Sequence, residues 1–340
     1  MEGIRHPLEA PEPGAAVEVA EGVLWLRLPL PMALDHVNIY ALDEGDGWTV
    51  IDTGLDGHKA RAIWETLFSG PFGGRPVRRV VVTHHHPDHV GLAGWFQSQG
   101  AELLIPRTGW LYARMMTLDV QQTATAEQLA FWRGAGMDPQ ILAQRAVERP
   151  FNFADVVHPM PLGFTRLLEG DAVEMGGRQW RVRMGDGHAP EHATFWSESD
   201  DLVLGGDQFL PAISPNIGVY PTEPGADPLG DWITSCRRFA ALADDRHFVL
   251  PGHKLPFTGL PLRLRQMEEN HHSAIARLLD FLDTPQSAVA CFPVLFRRTI
   301  GAGEYGLALG EAVAHLNHLL RHDQVRRSLD GEGTWLWERV

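Results

Sequence analysis

The stretch Val80-Val81-Val82-Thr83-His84-His85-His86-Pro87-Asp88-His89-Val90-Gly91 decides how this chain is read. Arg79–Thr83 is a short run, mostly β-branched, that stops abruptly at polar residues. That is the pattern of a buried parallel strand. Pro87 blocks a regular continuation, so the polar residues are expected on a loop at the strand's C-terminal end. Open α/β sheets place their chemistry at that end. From His84 to His89 every residue but Pro87 is His or Asp. Imidazoles this close repel one another when protonated; held neutral, they are good metal ligands.

The spacing His84-x-His86-x-Asp88-His89, followed by Gly91-Leu92-Ala93-Gly94, resembles the signature of the metallo-β-lactamase fold superfamily. A solvated His-rich turn is the alternative, but imidazoles with an embedded acid more often mark a metal site. His85 is expected to point away and serve structurally. Three later segments extend the resemblance. In Gly185-Asp186-Gly187-His188-Ala189-Pro190-Glu191-His192, His188 matches a further imidazole ligand and His192 a supporting residue. The strand Leu202–Leu204 runs into Gly205-Gly206-Asp207, where Asp207 matches a bridging carboxylate. The strand His247–Leu250 runs into Pro251-Gly252-His253, where His253 matches the last ligand. Each late motif is weak alone; their order and strand-end placement give them weight. Asp52, in Val50–Gly54, matches a supporting aspartate that would orient a ligand by a hydrogen bond. Capping the following helix is its alternative role.

The resemblance implies an α/β fold, a four-layer αββα metallo-β-lactamase sandwich. It implies one metal held by His84, His86 and His188, a second held by Asp88, His89 and His253, and Asp207 between them. Five imidazoles and two carboxylates suit two Zn2+ ions, with Fe or Mn possible. Two such cations roughly 4 Å apart would hold a bridging hydroxide at neutral pH. The candidate catalytic residues are Asp207, as the bridge, and Asp88, as a proton relay. No serine or cysteine nucleophile is needed.

Composition narrows the function classes. The chain has 340 residues, enough for a substantial core in one or two domains. Its formal net charge of −14 argues against attraction to nucleic acid or anionic membrane as a whole. Cys236 and Cys291 form no CxxC pair, so two reduced, buried thiols are expected. Met1–Gly14 lacks an apolar signal-peptide core, and no apolar run reaches membrane-spanning length. A cytoplasmic location is the default expectation.

In chain order, strands are expected at Val17–Pro29 (paired about Glu21-Gly22), Val37–Leu42 and Trp48–Ile51, then a helix at His58–Phe68. Gly91–Gln99 reads as a helix and Ala101–Ile105 as a strand. Thr108–Val147 then turns helical, with Asp138-Pro139 as a helix start. It reads as an insertion, about 108–160, on a domain spanning 1–260. Placed at the rim, the insertion is expected to cover the site, with Phe131 and Trp132 as apolar lining. His158, in its exit loop, is expected to be structural. Strands resume at Phe164, Val173–Met175 and Gln179–Met184, with a helix at Asp227–Leu242.

Residues 261–340 form a second unit. Helices are expected at Leu262–Leu282, Pro285–Phe296 and Leu307–His322, then a hairpin at Val325–Leu329 and Thr334–Trp337. Three helices and a hairpin resemble a winged helix. The whole is similar to the β-lactamase-like protein 2 subgroup, which joins this unit to the lactamase-like domain and includes a mitochondrial endoribonuclease.

Two function classes follow. One is a hydrolase of a small-molecule thioester or other carboxylic ester, as in the glyoxalase II-like branch; an acyl group would need the dry cover the insertion offers. The other is a metal-dependent nuclease acting on phosphodiesters. Against it, residues 261–340 carry nine Arg and no Lys beside ten acids, where a nucleic-acid module shows a basic face. The expected partner is therefore a small molecule, with no duplex DNA and no membrane. The abundant apolar residues of Leu307–Leu320 would pack on the catalytic domain or on a second copy in a homodimer. A di-iron oxidoreductase would need a Glu ligand and a flavin domain, and neither is evident; a mononuclear-iron dioxygenase stays open. Tyr220 and Lys254 stand where they would touch a leaving group or serve at the surface.

Overall fold

The computed structural model describes residues 3–340. Its first sheet comprises β1 (Val17–Ala20), β2 (Val23–Pro29), β3 (His36–Asp43), β4 (Trp48–Ile51), β5 (Val77–Val81), β6 (Glu102–Pro106) and β7 (Thr165–Leu167), side by side in chain order. Neighbours are antiparallel up to β4 and parallel from β4 to β7. The second sheet comprises β8 (Ala172–Met175), β9 (Arg178–Gly185), β10 (His192–Ser197), β11 (Leu202–Gly206) and β12 (Phe248–Pro251), in the order β12-β11-β10-β9-β8. A separate hairpin joins β13 (Val325–Leu329) to β14 (Trp335–Arg339). The helices are α1 (His58–Ser69), α2 (Pro87–Val90), α3 (Ala93–Ser98), α4 (Arg107–Leu118), α5 (Ala126–Gly134), α6 (Pro139–Val147), α7 (Pro228–Ala240), α8 (Leu260–Phe281), α9 (Phe292–Phe296) and α10 (Tyr305–Arg321).

Strand alternation produces the layers. Val80 and Val82 pack with Trp64 of α1 and Phe96 of α3 in an outer core. Val81 points the other way and meets Trp180, Phe195 and Leu204 of the second sheet. All three valines are fully buried, each stabilising the fold by about 1.5–3 kcal/mol. The second sheet's far face is covered by Trp232 and Phe239 of α7 and Leu264 of α8. Helices therefore flank two stacked sheets, the four layers that the resemblance implied.

The insertion forms α4, α5 and α6. Asp138 caps α6, accepting from the backbone N–H of Gln140 at 2.8 Å, so the Asp-Pro start signal reads correctly. The expected lining role of Phe131 and Trp132 does not hold. Phe131 is buried in the core of the C-terminal unit, edge-on to Trp335 at 5.8 Å. Trp132 packs against the same core, under the Arg145 guanidinium. The C-terminal helices are too few to bury their own apolar faces, and α5 supplies the missing cover. α4 is the part of the insertion that reaches the His-rich loop: the Tyr112 ring lies 5.1 Å from His85.

Within the C-terminal unit, Leu309, Val313, Leu316 and Leu319 of α10 are buried within this chain, among them against Val219 and the insertion. The helix expected over Pro285–Phe296 shrinks to a 3-10 turn (Val289–Cys291) and the five residues of α9. Its first part is diverted into strand-like pairing: Gln286 and Trp337 exchange two backbone hydrogen bonds of 2.9 Å. α8 serves both units. Leu260, Leu264 and Met267 pack on the second sheet, while Ala274 and Leu278 enter the C-terminal core. Both cysteines are free and buried. Among the described residues, no helix is long and apolar enough to cross a membrane.

Candidate metal centre

Seven side chains from four separate stretches converge at the C-terminal ends of β5, β9, β11 and β12. His84 and His86 lie on the loop after β5. Asp88 and His89 lie on α2, a single turn started by Pro87 at a position where proline costs no hydrogen bond. His188 sits between β9 and β10, Asp207 follows β11, and His253 follows β12. One ligand-type atom from each of His84, His86 and His188 falls within a common 4.8 Å, and the same holds for Asp88, His89 and His253. Asp207 stands between these two groups. Its Oδ2 is 3.3 Å from both His188 Nε2 and His253 Nε2, and its Oδ1 is 3.5 Å from His89 Nε2. Asp88 Oδ2 is 3.3 Å from His253 Nε2.

Two glycines permit this approach. A Cβ on Gly252 would fall 2.3 Å from Asp207 Oδ1. Gly206, at φ 49°, would put one 2.6 Å from the His192 ring. The glycine preceding Asp207 and the one preceding His253 are thus packing requirements of the centre.

The electrostatics divide the imidazoles. His84 and His86 are held well below the usual histidine range, first by burial and then by neighbouring imidazoles, so both are neutral with lone pairs to offer. Burial also opposes charge on His253, but the Asp207 and Asp88 carboxylates outweigh it and raise it to about 10. His89 is raised in the same way by Asp207, Asp88 and Asp52. Asp207 is held well below the carboxylate range: burial would raise it, but His253 and His89 prevail. The carboxylates therefore demand positive charge in their midst.

The residues fit a pair of cations on one further observation. His89 Nε2, His188 Nε2 and Asp207 Oδ1 are buried and make no hydrogen bond. Leaving such groups unmatched costs about 1–3 kcal/mol each, and all three sit among the converging side chains.

Surrounding residues fix the orientation of these groups. Asp52 accepts from the Thr83 N–H at 2.8 Å and the Thr83 hydroxyl at 2.9 Å, and lies 2.7 Å from His89 Nδ1. Its role as an orienting residue, not a helix cap, is clear: α1 is preceded by Gly57. Thr83 Oγ1 in turn lies 2.9 Å from His84 Nδ1. His192 Nε2 accepts the Asp207 backbone N–H at 3.1 Å, the supporting role expected of it. His85 lies between His86 and Tyr112, ring to ring at 4.8 and 5.1 Å, and belongs to none of the groups of ligand-type atoms; His158 contacts Asp56 and Arg61. Lys254 contributes backbone: its N–H donates to His36 Nε2 and its carbonyl accepts from Arg27 and Asn38. Tyr220 donates to Asn216 Oδ1 at 3.4 Å.

Sequence reasoning missed His36, Asn38 and Asn216. The His36 carbonyl lies 2.7 Å from His253 Nδ1. Asn38 Nδ2 donates to the carbonyls of Pro251 and Lys254. The Asn216 carbonyl lies 2.8 Å from His188 Nδ1, and Asn216 Nδ2 donates to Glu311 Oε2 on α10 at 2.9 Å. A buried-strand asparagine such as Asn38 was the one available signal, since an amide inside an apolar run needs partners.

Comparison with known proteins supplies the family. Residues 32–253 match the family model described as the metallo-beta-lactamase superfamily. The chain belongs to that superfamily. Residues 275–340 match a further model, the metallo-beta-lactamase-like C-terminal domain. A beta-lactamase domain protein of Burkholderia ambifaria superposes with a TM-score of 0.90 at 36% identity, over 99% of this chain and 98% of the other. A metallo-beta-lactamase family protein of Thermus thermophilus gives 0.79 at 28% identity, over 95% and 100%. A probable metallo-hydrolase of Bacillus subtilis is 27% identical over 92% of this chain and 96% of its own length. The protein is a metallo-hydrolase of this superfamily with a C-terminal domain and a cluster of metal-binding character.

Proposed function

We propose that the chain is a dinuclear metal-dependent hydrolase that cleaves a thioester or other carboxylic ester of a small molecule. The observation that carries this reading is Asp207, which approaches both triads of ligand-type atoms within 3.3–3.5 Å. In this proposal His84, His86 and His188 hold one cation, Asp88, His89 and His253 hold the other, and Asp207 touches both. Zinc is the proposed metal because imidazole dominates the set. When bound, such a pair supplies Lewis acidity to the scissile carbonyl and acidifies water enough to make a nucleophile near neutral pH. Asp88 is the proposed proton carrier. It is the more exposed of the two carboxylates, its side chain 17% accessible against 7% for Asp207, so it can exchange a proton with solvent.

Charge and packing favour an ester over a phosphodiester. The chain carries −14, and phosphate backbones are bound by Lys and Arg. α10, the helix that would enter a groove in a winged helix, buries Leu309, Val313, Leu316 and Leu319 inside the protein. The proposed partner is thus a small molecule, not duplex DNA, and the setting cytoplasmic. All seven side chains come from one chain, so a homodimer is not required for the site.

The test is a substrate screen with metal-loaded protein across acyl-CoA, glutathione thioester, lactone and phosphodiester compounds. Turnover of a thioester or ester, lost in His84→Ala, is expected. Turnover of phosphodiesters alone would replace this reading with the nuclease.

A further inference from the structure

We infer that Asp227, His318 and His322 form a separate binding site for one divalent transition metal, fastening the C-terminal unit to the catalytic domain. His318 and His322 lie four residues apart at the end of α10, so they project from the same face; their rings are 4.5 Å apart. Asp227 comes from the other domain, where it caps α7 by accepting the Gly230 N–H at 2.9 Å. His318 Nδ1 lies 3.0 and 3.2 Å from its two oxygens. One ligand atom from each of the three residues falls within a common 4.8 Å. These separations resemble those within the central cluster, where His84 Nε2 and His86 Nδ1 stand 3.0 Å apart and His188 Nε2 and Asp207 Oδ2 3.3 Å.

The surroundings favour a cation. Asp231, in the first turn of α7, is pushed up by burial and then by the nearby Asp186 and Asp227 carboxylates; Arg321 offsets this only in part. The carbonyl end of α10 adds negative potential where the histidines sit. Asp227 is buried and His322 is exposed, so solvent can complete the coordination from one side. Two imidazoles and one carboxylate suit zinc, nickel, cobalt or copper and do not suit the all-oxygen preference of magnesium or calcium. The site is independent of the central cluster: none of its three residues is among the seven, and they join α10 to the start of α7.

The experiment compares untagged wild-type protein with His322→Ala. Both are equilibrated by dialysis against micromolar zinc, and zinc per chain is measured by elemental analysis. His322 is exposed at the end of α10, with its ring beside that of His318, so the variant is expected to fold. The readout is the difference between the two proteins, which does not depend on how many ions the central cluster holds. One equivalent more in the wild type is expected. Equal zinc content would overturn the proposal. His318→Gln is the second variant, removing a ligand while keeping a polar side chain beside Asp227; it should also lose one equivalent, and retention of wild-type content would contradict the assignment.

Discussion

Asp52 Oδ2 lies 2.7 Å from His89 Nδ1, and both side chains are buried. That contact sets which nitrogen of His89 faces Asp88 and Asp207. The same carboxylate reaches His84 through the Thr83 hydroxyl, so one residue orients an imidazole in each proposed triad. Asp52 adopts φ 63°, a left-handed conformation that asparagine shares more easily than alanine. Asp52→Asn should therefore fold and lose metal affinity by roughly 10–100-fold. Competition with a chromophoric chelator measures this. Unchanged affinity would make Asp52 a structural residue only.

Asp207→Asn keeps the shape of the side chain and removes its charge. Because Asp207 approaches His89, His188 and His253, both cations of the centre should bind more weakly. His84→Ala should chiefly reduce the occupancy of its own triad and lower any hydrolytic activity by orders of magnitude. Isothermal titration of the two variants distinguishes these outcomes; loss of a single ion in Asp207→Asn would count against a bridging role.

Metal binding should be pH-dependent in a stated direction. A ligating imidazole must give up its proton. His253 is raised to about 10: burial opposes this, and Asp207 and Asp88 overcome it. His89 is raised in the same direction. Apparent affinity should then climb with pH through the neutral range towards about 10, and fall on acidification. Zinc content after dialysis across that range is the check. A flat profile would contradict the proton competition.

Phe131→Ala should destabilise the packing of the insertion on the C-terminal unit by about 3–5 kcal/mol, the cost of removing a buried phenyl ring. Metal content should not change. Denaturant unfolding together with elemental analysis separates the two effects. A parallel fall in metal would place α5 at the centre after all.

How much was legible follows from the range over which each signal acts. The strand at Val80–Val82 shows itself by an unbroken β-branched run with an abrupt polar end, and α6 by its Asp138-Pro139 start. The motif histidines and aspartates stand at strand ends with glycines beside them, and Gly206 and Gly252 prove to be there for clearance. What escaped depends on distant partners. His36 is 217 residues from His253, and Asn216 is 95 from Glu311. Phe131 reads as a lid residue until Trp335 arrives beside it. Pro285–Phe296 reads as a helix because nothing local announces the pairing of Gln286 with Trp337.

The central claim is that two cations sit among these seven side chains, joined by Asp207. Anomalous diffraction at the zinc edge, from crystals of zinc-loaded protein, tests it directly. The account predicts two peaks in the cluster, one within the His84, His86 and His188 triad and one within the Asp88, His89 and His253 triad, with Asp207 contacting both. A single peak there, or none after loading, would contradict it.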